Sequence, residues 1–354
     1  MMSGSKRILM CSSSLDYPGG MTTVVKNYLA FPGWDEFTIQ FVPTHVPGGK
    51  VRVLSHFALV LPRIFRALSN HEFDLVHLHV AERGSFFRKA LIARRAKKEG
   101  IPVVFHHHAA EFEQFYASLD DKRKEYVRST CEMVDVNIAL SKSVKDMMLE
   151  HFPDARFEVL YNAVPTYPEN HYNPSGKYIA FLGRVGERKG TFDLIRAFAL
   201  TLPQIPDDYR LVICGDGEVE KARTLAGDLG ISGRVQCRGW IGPDERSEVL
   251  CNAAINVLPS YNEGLPMSIL EAMSYGVPTL STRIAAIPEV IKPGENGWLI
   301  EPGDIEGMTS IISDAINDEG LRTGLSAKAY ALVSSSFSLE PHIENVKEIY
   351  RSLC

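Results

Sequence analysis

At 354 residues, 45% hydrophobic and 23% charged, the chain is long enough for two domains with full cores, and it falls outside the disordered, collagen-like and membrane-embedded classes. The formal charge of −5 is unevenly divided: 21 Lys and Arg stand against 18 Asp and Glu through Pro165, and 17 against 25 afterwards, giving +3 and −8. Halves of opposite sign suit different partners, and no DNA or RNA motif accompanies the positive charge, so nucleic acid is excluded from the expected ones.

Short apolar runs alternate with amphipathic stretches along the whole chain, which is the pattern of βαβ units and parallel sheets. In the first half the runs predict strands near residues 7–11, 38–42, 75–78, 103–106, 136–139 and 158–160. Residues 1–11 hold too short an apolar run for a cleavable secretion signal, and no stretch of about 20 apolar residues occurs. The six cysteines, Cys11, Cys131, Cys214, Cys237, Cys251 and Cys354, lack C-x-x-C spacing. Reduced core thiols in a cytoplasmic protein are therefore expected.

After the first strand, Pro18-Gly19-Gly20-Met21 opens a helix near Thr22, and its glycines let backbone N–H groups approach phosphate or sugar oxygens. Residues 83–98 carry Arg88, Lys89, Arg94, Arg95, Lys97 and Lys98 around an apolar stripe. That pattern serves either an anionic membrane contact or an ordinary crossover helix packed on the sheet. Next comes His106-His107-His108, where alternation puts His106 and His108 on one face and His107 on the other. His108, at the strand end, is placed to point into a cleft. Neighbouring strand histidines diverge and no second ligand cluster accompanies them, so no metal site is expected.

Residues 162–177, rich in Pro, Asn, Tyr and Gly, read as a linker. The strand pattern then restarts near 178–182, 211–214, 235–237, 255–258, 279–281 and 297–300. The expected organisation is α/β: two Rossmann-like doubly wound parallel-sheet domains, residues 1–165 and 166–337, facing across a cleft that closes about the linker. A last helix within 338–354 covers either domain.

Behind the first strand of the second half lies Gly183-Arg184-Val185-Gly186-Glu187-Arg188-Lys189-Gly190. Arg184 offers a planar donor fork and Lys189 a compact charge to phosphate oxygens, at the strand end where open α/β sheets bind ligands. A full G-x-G-x-x-G is absent, and Gly215-Asp216-Gly217 lacks the rest of a dinucleotide fingerprint, which argues against NAD. Further on, Glu263 and Glu271 bracket a turn at Gly264 and Pro266 and a helix whose first position is Pro266, continued by Met267 to Ala272. The helix start offers N–H groups to an anion, while the two carboxylates suit sugar hydroxyls better than phosphates. The chain contains no D-x-D, so a metal-bridged diphosphate is not expected, and cations with helix ends take that role.

These residues together resemble the retaining glycosyltransferases of family 4, which have the two-Rossmann GT-B architecture. The carriers are Gly19-Gly20, His108, Ser141-Lys142-Ser143, Tyr161-Asn162-Ala163-Val164, Gly183-Arg184 with Lys189-Gly190, and Glu263-Gly264-Leu265-Pro266 through Glu271-Ala272-Met273. Gly276-Val277-Pro278 and Ile287-Pro288-Glu289-Val290 extend them. The resemblance implies that Arg184 and Lys189 hold a donor diphosphate, Glu271 the ribose and Glu263 the donor sugar. Backbone amides of Gly264, Leu265, Pro266's neighbour Met267 and the Gly19-Gly20 loop complete the anion site. His108 matches the histidine near the reacting carbon, although Ala109 stands where many relatives have Gly, which leaves His106 as the alternative register.

The implied reaction is transfer of a hexosyl group, with retention, from a nucleotide diphosphate sugar to a hydroxyl of a glycan or lipid-linked sugar. The donor expected first is a UDP-sugar, with GDP-mannose second, and no cofactor or metal is required. The setting is bacterial capsule, exopolysaccharide or lipopolysaccharide synthesis at the inner face of the cytoplasmic membrane. Two other readings share the architecture: a non-hydrolysing nucleotide-sugar epimerase, and a non-catalytic nucleotide-sugar-binding subunit.

Overall fold

The structure is a computed structural model that describes residues 5–108 and 110–354; Ala109, singled out above, lies outside the described residues. The chain forms two compact units, one running to Ala163 and taking back Leu339–Cys354, the other Val164–Ser338. Among the described residues no helix is long and apolar enough to cross a membrane.

In the first unit six parallel strands, β1 (Lys6–Ser13), β2 (Phe37–His45), β3 (Leu75–Val80), β4 (Val103–His107), β5 (Val136–Ala139) and β6 (Phe157–Val159), lie in the order β2-β1-β3-β4-β5-β6. This is the flavodoxin-like variant of the doubly wound plan, with its order reversing between β1 and β3. The two faces of β3 and β4 differ in chemistry. Leu78, Val80 and Phe105 join an apolar core with Phe57, Ile64, Phe86 and Ala90, which come from helices α2 (Lys50–Ser69) and α3 (Gly84–Lys98). The opposite face carries His77 and His79 beside His106, all fully buried.

That histidine face is covered by α1 (Gly20–Ala30) and by the last helix, Leu339–Arg351. The Tyr28 hydroxyl lies 2.6 Å from His342 Nε2, and the Tyr350 hydroxyl 2.6 Å from His77 Nδ1. Lys347 pairs with Asp35, and Arg351 Nε with Glu36 at 2.5 Å. Polar partners that only the fold supplies thus fasten the last helix to the first unit.

α3 does not present the basic surface that residues 83–98 suggest. Lys89 is fully buried and donates to Ser85 Oγ at 2.9 Å. Arg94 donates to Ser129 and Thr130 hydroxyls at 2.7 and 2.8 Å and lies over the Tyr126 ring. Arg95 pairs with Glu99, and Lys97 with Asp135 at 2.7 Å. The crossover-helix reading describes α3: Lys89, Arg94, Arg95 and Lys97 are spent within the unit, while Lys98 stays exposed; the physical reason is that a helix docked flat on a sheet turns even its flanks toward neighbours.

In the second unit β7 (Tyr178–Leu182), β8 (Arg210–Cys214), β9 (Val235–Gly239), β10 (Ala253–Leu258), β11 (Thr279–Thr282) and β12 (Gly297–Ile300) form a parallel sheet ordered β12-β11-β10-β7-β8-β9. This is the Rossmann order, with its switch point between β7 and β10. The linker segment is not a free hinge over its length. Tyr172 hydroxyl donates to Ala254 O at 3.0 Å, Arg322 Nε donates to that hydroxyl at 3.0 Å, and Asn170 Nδ2 donates to Ser326 Oγ at 3.0 Å. Residues from 167 onward are therefore a strap bound to the second unit.

Candidate active site

The second unit gathers most of the sequence-derived set at its switch point. The Gly183–Gly190 loop leaves β7, and the Ser260–Pro266 loop leaves the adjacent β10. Gly190 explains how closely the loops meet: its φ is +65°, and a Cβ there would lie 2.0 Å from Pro259 O. Any other residue would force them apart. Tyr261 N donates to Arg188 O at 2.8 Å, and Arg188 Nη1 donates to Asn262 O at 2.9 Å. This sewing places Lys189 Nζ on Glu263 Oε1, and Ser260 Oγ donates to the same oxygen at 2.7 Å. Both Glu263 and Ser260 are buried.

Glu263 is therefore a desolvated carboxylate held by one cation and one hydroxyl, a charge-assisted arrangement that fixes its orientation. Directly after it, Gly264, Leu265 and Pro266 lead into the Met267–Ser274 helix, whose N-cap is Pro266 with φ −67° and ψ 124°. Pro266 thus sits one position before the first helical residue, and no side chain caps the helix end. First-turn amides such as those of Met267 and Ser268 have no intrahelical acceptor and face an anion favourably. Four residues into that helix, Glu271 accepts from Arg246 Nη1 at 2.8 Å. Burial pushes the Glu271 carboxyl up, partly countered by Arg246. Arg184 is exposed, at the mouth of the β7 loop, where Val185 bridges Gly217; it is in no ion pair among the described residues.

In the first unit Gly19 is the N-cap of α1, with φ 144°, so the helix opens at Gly20, two residues before the position expected at Thr22. His108 follows β4 directly, and its N–H donates to Val80 O at 2.7 Å. His106 and His108 share a face, with ring centroids 4.3 Å apart, while His107 turns the other way to meet Asn137 at 2.9 Å. Of the two candidates, His106 is fully buried and His108 partly exposed at the strand end. Burial keeps both neutral, lowering His108 to about 3.

One nitrogen from each of His77, His79 and His106 lies within 4.8 Å of the others. Their rings are stacked, however, with interplanar angles of 12° between His77 and His79 and 29° between His79 and His106. Lone pairs in near-parallel planes do not converge on one ion, so the trio packs as a stack more than as a ligand set.

Sequence reasoning missed Ser260, Arg246 and His79. Ser260 carried a usable signal, standing at a strand end three residues before Glu263. Arg246 carried none, because it reaches Glu271 from a separate helix, Pro243–Cys251.

Residues 24–167 match Glycosyltransferase Family 4, and residues 164–332 match Glycosyl transferases group 1. The lipopolysaccharide core biosynthesis glycosyltransferase LpsE of Rhizobium meliloti is 37% identical over 160 residues, 45% of each chain. The lipopolysaccharide 1,6-galactosyltransferase of Escherichia coli K12 is 29% identical over 239 residues, 64% of this chain and 62% of that one. The matched region thus spans from under half to under two thirds of these relatives' lengths. Among solved structures, sucrose-phosphate synthase of Thermosynechococcus elongatus gives a TM-score of 0.82 at 16% identity, over 98% of this chain and 99% of that one. Anabaena HepE, solved with UDP-glucose, gives 0.78 at 20%, over 98% and 100%. At such identity these two carry the fold alone. With both halves matched in order by the two family descriptions, and with the doubly wound sheets beneath them, the chain belongs to the family 4, group 1 glycosyltransferases.

Proposed function

We propose that the protein transfers a hexosyl group from a UDP-sugar to a hydroxyl of a glycan or lipid-linked acceptor, with retention of configuration, in bacterial surface polysaccharide synthesis. The observation that carries this reading is the buried Glu263, clamped by Lys189 and Ser260 immediately before an uncapped helix N-terminus. A fixed acceptor beside a helix N-terminus suits a sugar hydroxyl next to a diphosphate. In this reading Arg184, Lys189 and the amides of Gly264, Leu265 and Met267 stabilise the departing diphosphate, Glu271 binds the ribose and Glu263 the hexose. In the first unit the Gly19-Gly20 turn and His108 keep the roles that the family resemblance implies. The UDP preference draws on HepE, solved with UDP and UDP-glucose, and the polysaccharide setting on the lipopolysaccharide enzymes.

Arg184 and Lys189 supply the positive charge that a divalent ion supplies elsewhere, so transfer proceeds without a metal and persists in EDTA. A thermal-shift screen of UDP-hexoses and GDP-mannose, followed by detection of released nucleotide, tests the assignment. A donor that raises Tm and yields UDP faster with acceptor than without supports it; an epimer formed from donor alone would replace it.

Peripheral contact with an anionic membrane at the cytoplasmic face belongs to the same reading, on α2 instead of α3. One face of α2 buries Val53, Phe57, Ile64 and Leu68, while Val51, Leu54 and Leu59 are 82%, 63% and 69% exposed on the other. Its charged residues are Lys50, Arg52, Arg63 and Arg66, with no Asp or Glu. Outward apolar side chains flanked only by cations fit an anionic lipid surface. Flotation with phosphatidylglycerol vesicles should fail for V51D/L54D/L59D; undiminished flotation ends the assignment.

A further inference from the structure

His77, His79, His106 and His108 stack along one face of β3 and β4, with ring centroids 4.6 Å apart for His77 and His79, 5.0 Å for His79 and His106, and 4.3 Å for His106 and His108. Within this stack one polar contact joins the buried layer to the strand end: His79 Nδ1 lies 2.9 Å from His108 Nε2. The other ring nitrogen of His79, Nε2, is buried without a hydrogen-bond partner among the described residues.

A contact between two ring nitrogens needs one proton and one lone pair, and a neutral imidazole has one of each. Were His108 the donor, His79 would accept at Nδ1 and carry its own proton on Nε2, leaving a buried N–H with nothing to bond. Orphaned buried donors are rarer and costlier than under-used acceptors. The favoured arrangement puts the His79 proton on Nδ1, donated to His108 Nε2. An Nε2 that accepts carries no proton, so His108 is neutral with a single proton, in line with its pKa lowered to about 3. That proton must then sit on His108 Nδ1.

We propose that His79 is a positioning residue: it fixes His108 in the Nδ1–H tautomer, so that His108 meets its substrate as a hydrogen-bond donor and not as a base. The inference rests on His108 acting in the transfer reaction, as assigned above, but the hold of His79 on the tautomer is measurable without turnover. This gives a strand residue inside the sheet control over the chemistry presented at the sheet's edge, as outer partners of functional histidines do elsewhere.

The test uses the full chain with His79→Phe, which keeps a flat ring in the stack but removes the Nδ1 donor, and with His79→Asn, which returns an N–H near that position. Long-range ¹H–¹⁵N NMR should show His108 as Nδ1–H in the parent and in His79→Asn, and moved toward Nε2–H in His79→Phe. With UDP-glucose hydrolysis as the turnover readout, His79→Phe should lower kcat about tenfold, the loss of one hydrogen bond, at unchanged KM. His79→Asn should recover most of it. In a His108→Ala background His79→Phe should cost nothing further. Nε2–H on His108 in the parent, or a tautomer indifferent to His79→Phe, overturns the proposal, and so does an equal kcat loss with and without His108. Full turnover by His108→Ala alone would instead remove the role given to His108, while the NMR result would still decide whether His79 sets its tautomer.

Discussion

Replacing Lys189 by Met isolates the interaction at the heart of the second unit's site. The side chains of Lys189 and Glu263 are 13% and 7% exposed, so solvent screens their attraction little. Taking the cation away leaves a buried carboxylate whose remaining partner is Ser260, at 2.7 Å. Breaking a buried pair from one side costs about 3–5 kcal/mol, because the surviving charge is uncompensated. Glu263→Gln is gentler: the amide oxygen still accepts from Ser260, and the loss is that of one charge-assisted bond, about 1.5–3 kcal/mol. The double variant should cost less than the two single losses added, with a coupling of about 1–3 kcal/mol, since neither charge is then stranded beside the other's vacancy. Hydrogen exchange read by mass spectrometry over β7 and β10 measures these free energies in the second unit separately from the first. A Lys189→Met protein within about 1 kcal/mol of the parent, with additive behaviour in the double variant, would refute the reasoning, because the pair would then be no tighter than a surface ion pair.

Acid should open the first unit before the second. His77 and His108 are lowered to about 3 and His107 and His342 to about 4 by burial, against an ordinary 6.5. Because the folded values are depressed, the unfolded chain binds protons first below pH 6.5, and stability present above that pH is lost as pH falls toward 4. Four such groups together lose about 5 kcal/mol per pH unit; a first unit still protected from exchange at pH 4.5 would contradict this. Tyr350→Phe should cost about 1–3 kcal/mol by leaving His77 Nδ1 without its partner, and protease should release the Leu339–Arg351 helix earlier than in the parent. Gly190→Ala should lower Tm by several degrees and weaken UDP-sugar binding, since its Cβ would collide with Pro259 O at 2.0 Å; an unchanged Tm would show that the two loops move apart freely.

Among the described residues all twelve strands lie where apolar runs place them; the inner ones are buried on both faces of a parallel sheet and must read as such runs. Local features were nearly as legible: the helix expected to open at Pro266 opens at Met267, four residues after Glu263. Charge was the poor guide. Lys89 and Lys97 look alike in the chain, yet one is buried on Ser85 and the other pairs with Asp135, whereas α2, unremarkable in charge count, carries the exposed apolar face.

By itself the amino-acid order determined the element types, the two-part alternating plan and the family-bearing loops, since each depends on periodicity or on residues close in sequence. Only the tertiary structure decided that the order of strands differs between the units, that Arg246 meets Glu271, that the last helix bonds His77 and Tyr28, and that His79 touches His108. Each of those joins residues far apart along the chain, and which distant strand or helix becomes a neighbour is settled by packing whole faces together, a property no local pattern encodes.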